Sequence, residues 1–141
     1  MRFRAMAVLT LFLLSACGSG RGSSRPAGIP QPDINVGLTH EVFFGSQSEA
    51  PATIEVVVAN RASVPITIRR VEVSSPGMVT HGLHSTQREF QEVVNPGASK
   101  AVTVFATAVT TTRRPNEPLT IRAIVFFESA GANWREVVMA R

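Results

Sequence analysis

Ala52-Thr53-Ile54-Glu55-Val56-Val57-Val58-Ala59 is followed, after Asn60-Arg61-Ala62-Ser63, by Val64-Pro65-Ile66-Thr67-Ile68-Arg69-Arg70-Val71-Glu72-Val73. In the first run Ile54, Val56 and Val58 share one parity, while Thr53, Glu55 and Val57 share the other. Successive side chains of an extended chain point to opposite sides, so this alternation describes a strand with one buried face. Asn60-Arg61-Ala62-Ser63 reads as a turn. In the second run the alternation slips: Ile66 and Ile68 lie on one parity, Val71 and Val73 on the other, with Arg69-Arg70 at the junction. A slip of one residue reverses every facing, which predicts a β-bulge or a switch between sheets near Arg69.

The same pattern continues outward in both directions. Strands are predicted over residues 38–44, 52–59, 64–73, 88–94, 100–109, 119–128 and 134–140, and no window sustains a 3.6-residue apolar period. Ser75-Pro76-Gly77 ends the third strand and opens an irregular segment. Asn95-Pro96-Gly97-Ala98 has proline second and glycine third, the order of a type II turn. Ala130-Gly131-Ala132-Asn133 turns the chain into its last strand. Seven strands in just over a hundred residues define an all-β fold, a seven-stranded antiparallel immunoglobulin-like β-sandwich over residues 35–141. Asn60, the short loop, Pro65 and a strand, followed later by Pro96-Gly97 and another strand, resemble the pattern of ASH/MSP-type and late-embryogenesis-abundant (LEA-type) modules. That resemblance spans residues 52–109 and implies a binding or structural module, with no catalytic residues carried over.

The N-terminus has a different character. Arg2 and Arg4 precede an apolar run over residues 5–14 in which Thr10 is the only polar residue, and small Ser15 and Ala16 follow. These are the three regions of a secretory signal, and the run is about half the length needed to span a bilayer as a helix. Leu14-Ser15-Ala16-Cys17 resembles the lipobox of bacterial lipoprotein precursors. The resemblance implies cleavage before Cys17, a diacylglycerol on its thiol and an acyl group on the new amine. Residues 1–16 are then a signal peptide. Gly18 in place of Asp after the cysteine favours, by the same resemblance, an outer-membrane location facing the periplasm over the inner membrane or cell surface. Residues 17–34 form the lipidated cysteine and a Gly/Ser/Pro/Arg tether, too poor in apolar side chains to order itself. Treated as a free coil it spans on the order of 20 Å.

Composition removes several function classes. Processing takes Arg2 and Arg4 away, leaving 12 basic against 10 acidic residues, so nucleic acid, which demands clustered cationic charge, is not an expected partner. With Cys17 the single cysteine, no intramolecular disulfide is available and the fold must rest on its core. His81 and His84, with Glu89 and Glu92 following, are the weak candidates for a metal site. Zinc wants three or four converging ligands, and this pair falls in an irregular loop, so the expectation is no metal and no cofactor. Ser74 and Ser75 stand in a turn, and Asp33, the sole aspartate, lies in the tether. A catalytic triad there lacks support, and the chain reads as a non-enzyme.

Phe43-Phe44 and Phe126-Phe127 place adjacent rings on opposite faces of a strand, so one of each pair should enter the core. Trp134 with Arg135 on the last strand is the candidate surface for a partner or a sugar. The expectation is a lipid-anchored envelope protein, held to membrane lipid through Cys17, that binds another envelope protein through a surface or an exposed strand edge. A peptidoglycan- or polysaccharide-binding module is the alternative. Cells expressing the protein should incorporate a palmitate analogue into it, and Cys17→Ser should abolish that labelling; equal labelling of both forms would remove the lipobox assignment.

Overall fold

The computed structural model describes residues 24–77, 80–112 and 118–141. The predicted signal peptide, Cys17 and the first part of the predicted tether lie outside the described residues. Among the described residues eight strands form, in chain order β1 (Asp33–Leu38), β2 (Glu49–Ala59), β3 (Ile66–Ser74), β4 (His81–Leu83), β5 (Thr86–Val94), β6 (Ser99–Thr110), β7 (Ile121–Ser129) and β8 (Ala132–Ala140). They make two four-stranded antiparallel sheets, sheet 1 in the order β1-β2-β6-β4 and sheet 2 in the order β5-β3-β7-β8. The described residues contain no helix. In immunoglobulin terms β1, β2 and β6 stand as A, B and E, while β3, β7 and β8 stand as C, F and G; β5 extends the second sheet.

Eight strands stand where seven were predicted; β4 is the added one, and the first strand is displaced. His81–Leu83 is too short to show a period, and it becomes a strand only by pairing with Ala108–Thr110 at the end of β6. The first strand also lies earlier than predicted. Asp33–Leu38 pairs with Ala59–Ile54 of β2, whereas the chain from Thr39 onward leaves the sheet and loops over its end. Ile34, Val36 and Leu38 turn toward the core, so the domain begins in what composition suggested was tether. Further upstream, Ile29 packs against the core, Pro32 is buried, and Ile29 N–H bonds Pro26 C=O at 3.3 Å. The distal part of the tether is thus docked onto the sandwich.

The core is aliphatic. Ile54, Val56 and Val58 of β2, Ile66, Ile68, Val71 and Val73 of β3, Val104 of β6 and Val125 of β7 are fully buried. Each contributes about 1.5–3 kcal/mol of transfer free energy. The slip at Arg69 is a bulge: Ile68 pairs with Phe127, yet Arg70 pairs with Phe126, leaving Arg69 as the extra residue on β3. That single insertion lets Ile66, Ile68, Val71 and Val73 all face inward despite their change of parity.

The sheets are joined at one end by Asn60, which is 1% exposed. Its Nδ2 donates to Val64 C=O at 2.8 Å and to Val94 C=O at 2.9 Å, and its Oδ1 accepts from Ala62 N–H at 2.8 Å. Its backbone N–H bonds Ala98 C=O at 2.9 Å and its C=O accepts Gly97 N–H at 3.0 Å. The second turn is the expected one, with Ala98 N–H on Asn95 C=O at 3.0 Å and Gly97 at φ +73°. At the β7–β8 hairpin both central residues have positive φ, Ala130 at +48° and Gly131 at +78°. This suits a type I′ turn but strains an alanine. Two outcomes are expected in chemical denaturation followed by the fluorescence of Trp134. Asn60→Ala should lose about 3 kcal/mol, because it strands two buried carbonyls and an N–H. Ala130→Asn should gain about 1 kcal/mol by admitting a residue that tolerates the left-handed region.

Candidate interaction surface

The residues singled out in the sequence do not converge. His81, 7% exposed, stacks on Phe44 with ring centroids 5.4 Å apart, while exposed His84 places Nε2 3.4 Å from Glu49 Oε1. Glu89 and Glu92 are turned elsewhere, toward Arg70 at 3.8 Å and Lys100 at 2.9 Å respectively. Among the described residues no group of three or more His, Cys, Asp or Glu is placed to hold a metal. The Ser75 hydroxyl donates to Thr120 C=O at 2.7 Å and accepts Leu83 N–H at 2.8 Å, so it braces backbone. Asp33 pairs with Arg61 at the opposite end of the strands, with Arg61 Nε 2.6 Å from its carboxylate.

Trp134 requires a correction. It is 2% exposed and stacks on Phe127 at 5.3 Å, so it completes the core and offers no surface for a sugar or a partner. The last strand alternates Trp134, Glu136 and Val138 against Arg135, Val137 and Met139. The pairing with β7 turns the first set inward, beside Phe127 and Val125. Arg135 does reach the exterior. It lines a shallow basin of about 450 Å³ at the bulge, with Arg69, Arg70, Glu89, Phe126, Glu128 and Asn133 among its neighbours. Most of that charge is internally matched. Arg70 lies 4.0 Å above the Phe126 ring and 3.0 Å from Glu72, and Arg69 is 3.4 Å from Glu128. Such contacts brace the outside of sheet 2.

The two phenylalanine pairs divide as expected. Phe127 is 1% exposed while Phe126 lies under Arg70; Phe44 packs against the core while Phe43, on the loop, is 87% exposed.

The outer face of sheet 1 has a different chemistry. Ala52, Ile54, Val56 and Val58 of β2 meet Val102, Val104 and Ala108 of β6 in the core, which turns Thr53, Glu55 and Val57 outward together with Ala101, Thr103, Phe105 and Thr107. Phe105, 65% exposed, stands opposite Thr53, with Glu55 opposite Thr103 and Val57 opposite Ala101. Glu55 is the only charged side chain among these seven, Glu49 sharing their parity only at the far end of β2, so the ring's neighbours along the ladder are mostly threonine and small aliphatic residues. Arg88 frames it from β5: its guanidinium donates to Thr103 C=O at 2.9 Å and lies 5.9 Å from the Phe105 ring centroid. Depleted charge around an exposed ring is the chemistry of an interface centre.

Residues 100–109 carry apolar side chains on both parities, so the strand by itself does not say which face is inside. The signal lies in β2, where Ile54, Val56 and Val58 oppose Thr53 and Glu55 and thereby orient β6 through the ladder.

No protein-family model matches the chain, and no curated protein matches it at a significant level. Similar solved structures include a Northeast Structural Genomics Consortium target, SoR45, at 7% identity and TM-score 0.51, covering 82% of this chain and 84% of that one. Another is a protein from Bordetella pertussis solved under the name ApaA, at 13% identity and TM-score 0.50, covering 79% of this chain and 94% of that one. At such identities the likeness is one of fold.

Proposed function

We propose that this chain is a lipid-anchored envelope protein whose sandwich is a non-catalytic binding module, presenting the outer face of sheet 1 to another envelope protein. The observation that carries the binding surface is Phe105, a ring 65% exposed in the middle of a regular strand and facing a charge-poor sheet. A side chain of that size ordinarily adds to the core, and its outward position leaves apolar area for a partner to cover. The strand ladder holds the face rigid, so little conformational entropy is lost on docking. Strand addition is a second means of contact within the same reading. β4 pairs only with Ala108–Thr110, so among the described residues most of β6 has no ladder partner on the side away from β2, apart from bonds to Thr107 C=O from His84 N–H and to Thr103 C=O from Arg88. Open edges of this kind accept an incoming strand.

The anchor rests on Arg2 and Arg4, the apolar run and Leu14-Ser15-Ala16-Cys17. The proposed location is the outer membrane, facing the periplasm. Crosslinking in intact envelopes followed by affinity recovery should yield a protein partner with the native chain. Phe105→Glu should cut its recovery about tenfold or more, while the fluorescence of buried Trp134 stays unchanged. An unaltered partner, or retention on peptidoglycan with no protein recovered, would sink this assignment.

A further inference from the structure

The docked tether fixes which side of the domain is nearest the lipid anchor. Arg25 Nη1 lies 3.0 Å from Glu136 Oε1 on edge strand β8, and that carboxylate is only 14% exposed. From there Ile29 packs on the core and Pro32 is buried. The chain therefore joins the sandwich at β8, well before the first residue of β1. Cys17 precedes Arg25 by eight residues, which span at most about 30 Å when fully extended. If Cys17 carries lipid, as proposed above, the β8 side of sheet 2 is kept close to the headgroups.

That side carries matching chemistry. Across the β7–β8 ladder Arg135 stands opposite Phe126, Val137 opposite Ile124, and Met139 opposite Arg122. Val137 is 50% and Met139 53% exposed, and both arginines are exposed. Arg69 and Arg70 of the same sheet are matched by Glu128, Glu72 and Glu89, but neither Arg122 nor Arg135 has an ion-pair partner among the described residues. Two uncommitted guanidinium groups thus flank a short apolar strip. Arginine stems lie along apolar surface while their heads reach phosphate, and cations near an anionic leaflet are attracted to it. We propose that Arg122, Arg135, Val137 and Met139 form a membrane-facing patch that rests on anionic lipid headgroups beside the anchor. The charge-poor face around Phe105, on the opposite sheet, is then turned away from the bilayer. The anchored domain has a preferred orientation.

The test uses the full-length lipidated protein in phosphatidylcholine vesicles with and without phosphatidylglycerol, some lipid carrying a headgroup quencher. Met139→Cys gives a thiol for a fluorophore, since Cys17 is acylated, and Phe105→Cys places the same probe on the other sheet. Quenching is expected at position 139 and not at 105, stronger with phosphatidylglycerol and lost with Arg122→Gln plus Arg135→Gln. Equal quenching at both positions, or quenching indifferent to both arginines, overturns the proposal, as does a protein crosslink at position 139 in envelopes without lipid proximity.

The anchor is tested separately by flotation. Should the native chain prove not to be acylated, the 17–141 chain with Cys17→Ser, free of the apolar N-terminal run, still decides the patch. Its partition onto phosphatidylglycerol vesicles should fall about 30-fold when both arginines are neutralised. No phosphatidylglycerol-dependent partition, or partition unchanged by neutralising the arginines, would overturn the patch even if the anchor stands.

Discussion

The fold depends on the buried amide of Asn60. The chain changes sheet five times among the described residues, and two of the crossings, from β2 to β3 and from β5 to β6, lie within reach of this side chain. A crossing exposes backbone polar groups that no ladder can satisfy, and leaving them unpaired in the interior is costly. Asn60 meets the need with two donors and one acceptor on its side chain and with both of its own backbone groups. An aspartate would lack the donors and a serine the reach. Ser129, at the end of β7, donates to Pro65 C=O at 2.7 Å and so ties the incoming end of the β2–β3 crossing to the sheet that it enters.

With the crossings pinned, the bulge at Arg69 differentiates the two outer faces. It sets Arg69 and Arg70 side by side on the outside of sheet 2, where they engage Glu72, Glu89, Glu128 and the Phe126 ring. The outside of sheet 2 is consequently rich in matched charge. The regular β2–β6 ladder leaves threonine, small aliphatic residues and Phe105 outside sheet 1. Two faces of unlike chemistry on a rigid domain suit a protein held at one side and bound at the other. Arg25 on β8 and Ile29 against the core draw the distal tether onto the domain, as the proposed orientation requires.

Much of the fold was legible because strand periodicity is local. Ile54, Val56 and Val58 announced β2, the parity change around Arg69 announced the bulge, and Pro96-Gly97 announced its turn. The surface was less legible, since exposure depends on which parity a neighbouring strand selects. Trp134 stands beside Arg135 in the sequence and looked accessible, yet the ladder with β7 directs its ring onto Phe127. Phe105 lay hidden among apolar residues of both parities. His81 and His84 are three residues apart, but one lies in β4 against Phe44 and the other beside Glu49.

The amino-acid order by itself determined the all-β class, the bulge and the main turns, because each follows from residues close together in the chain. Tertiary structure decided that residues 81–83 form a strand, that the distal tether belongs to the domain, and that Phe105 faces outward while Trp134 faces inward. The physical reason is common to all of these. A short strand, a docked tether and a side chain's facing are fixed by contacts with segments distant in sequence, and no local period records them.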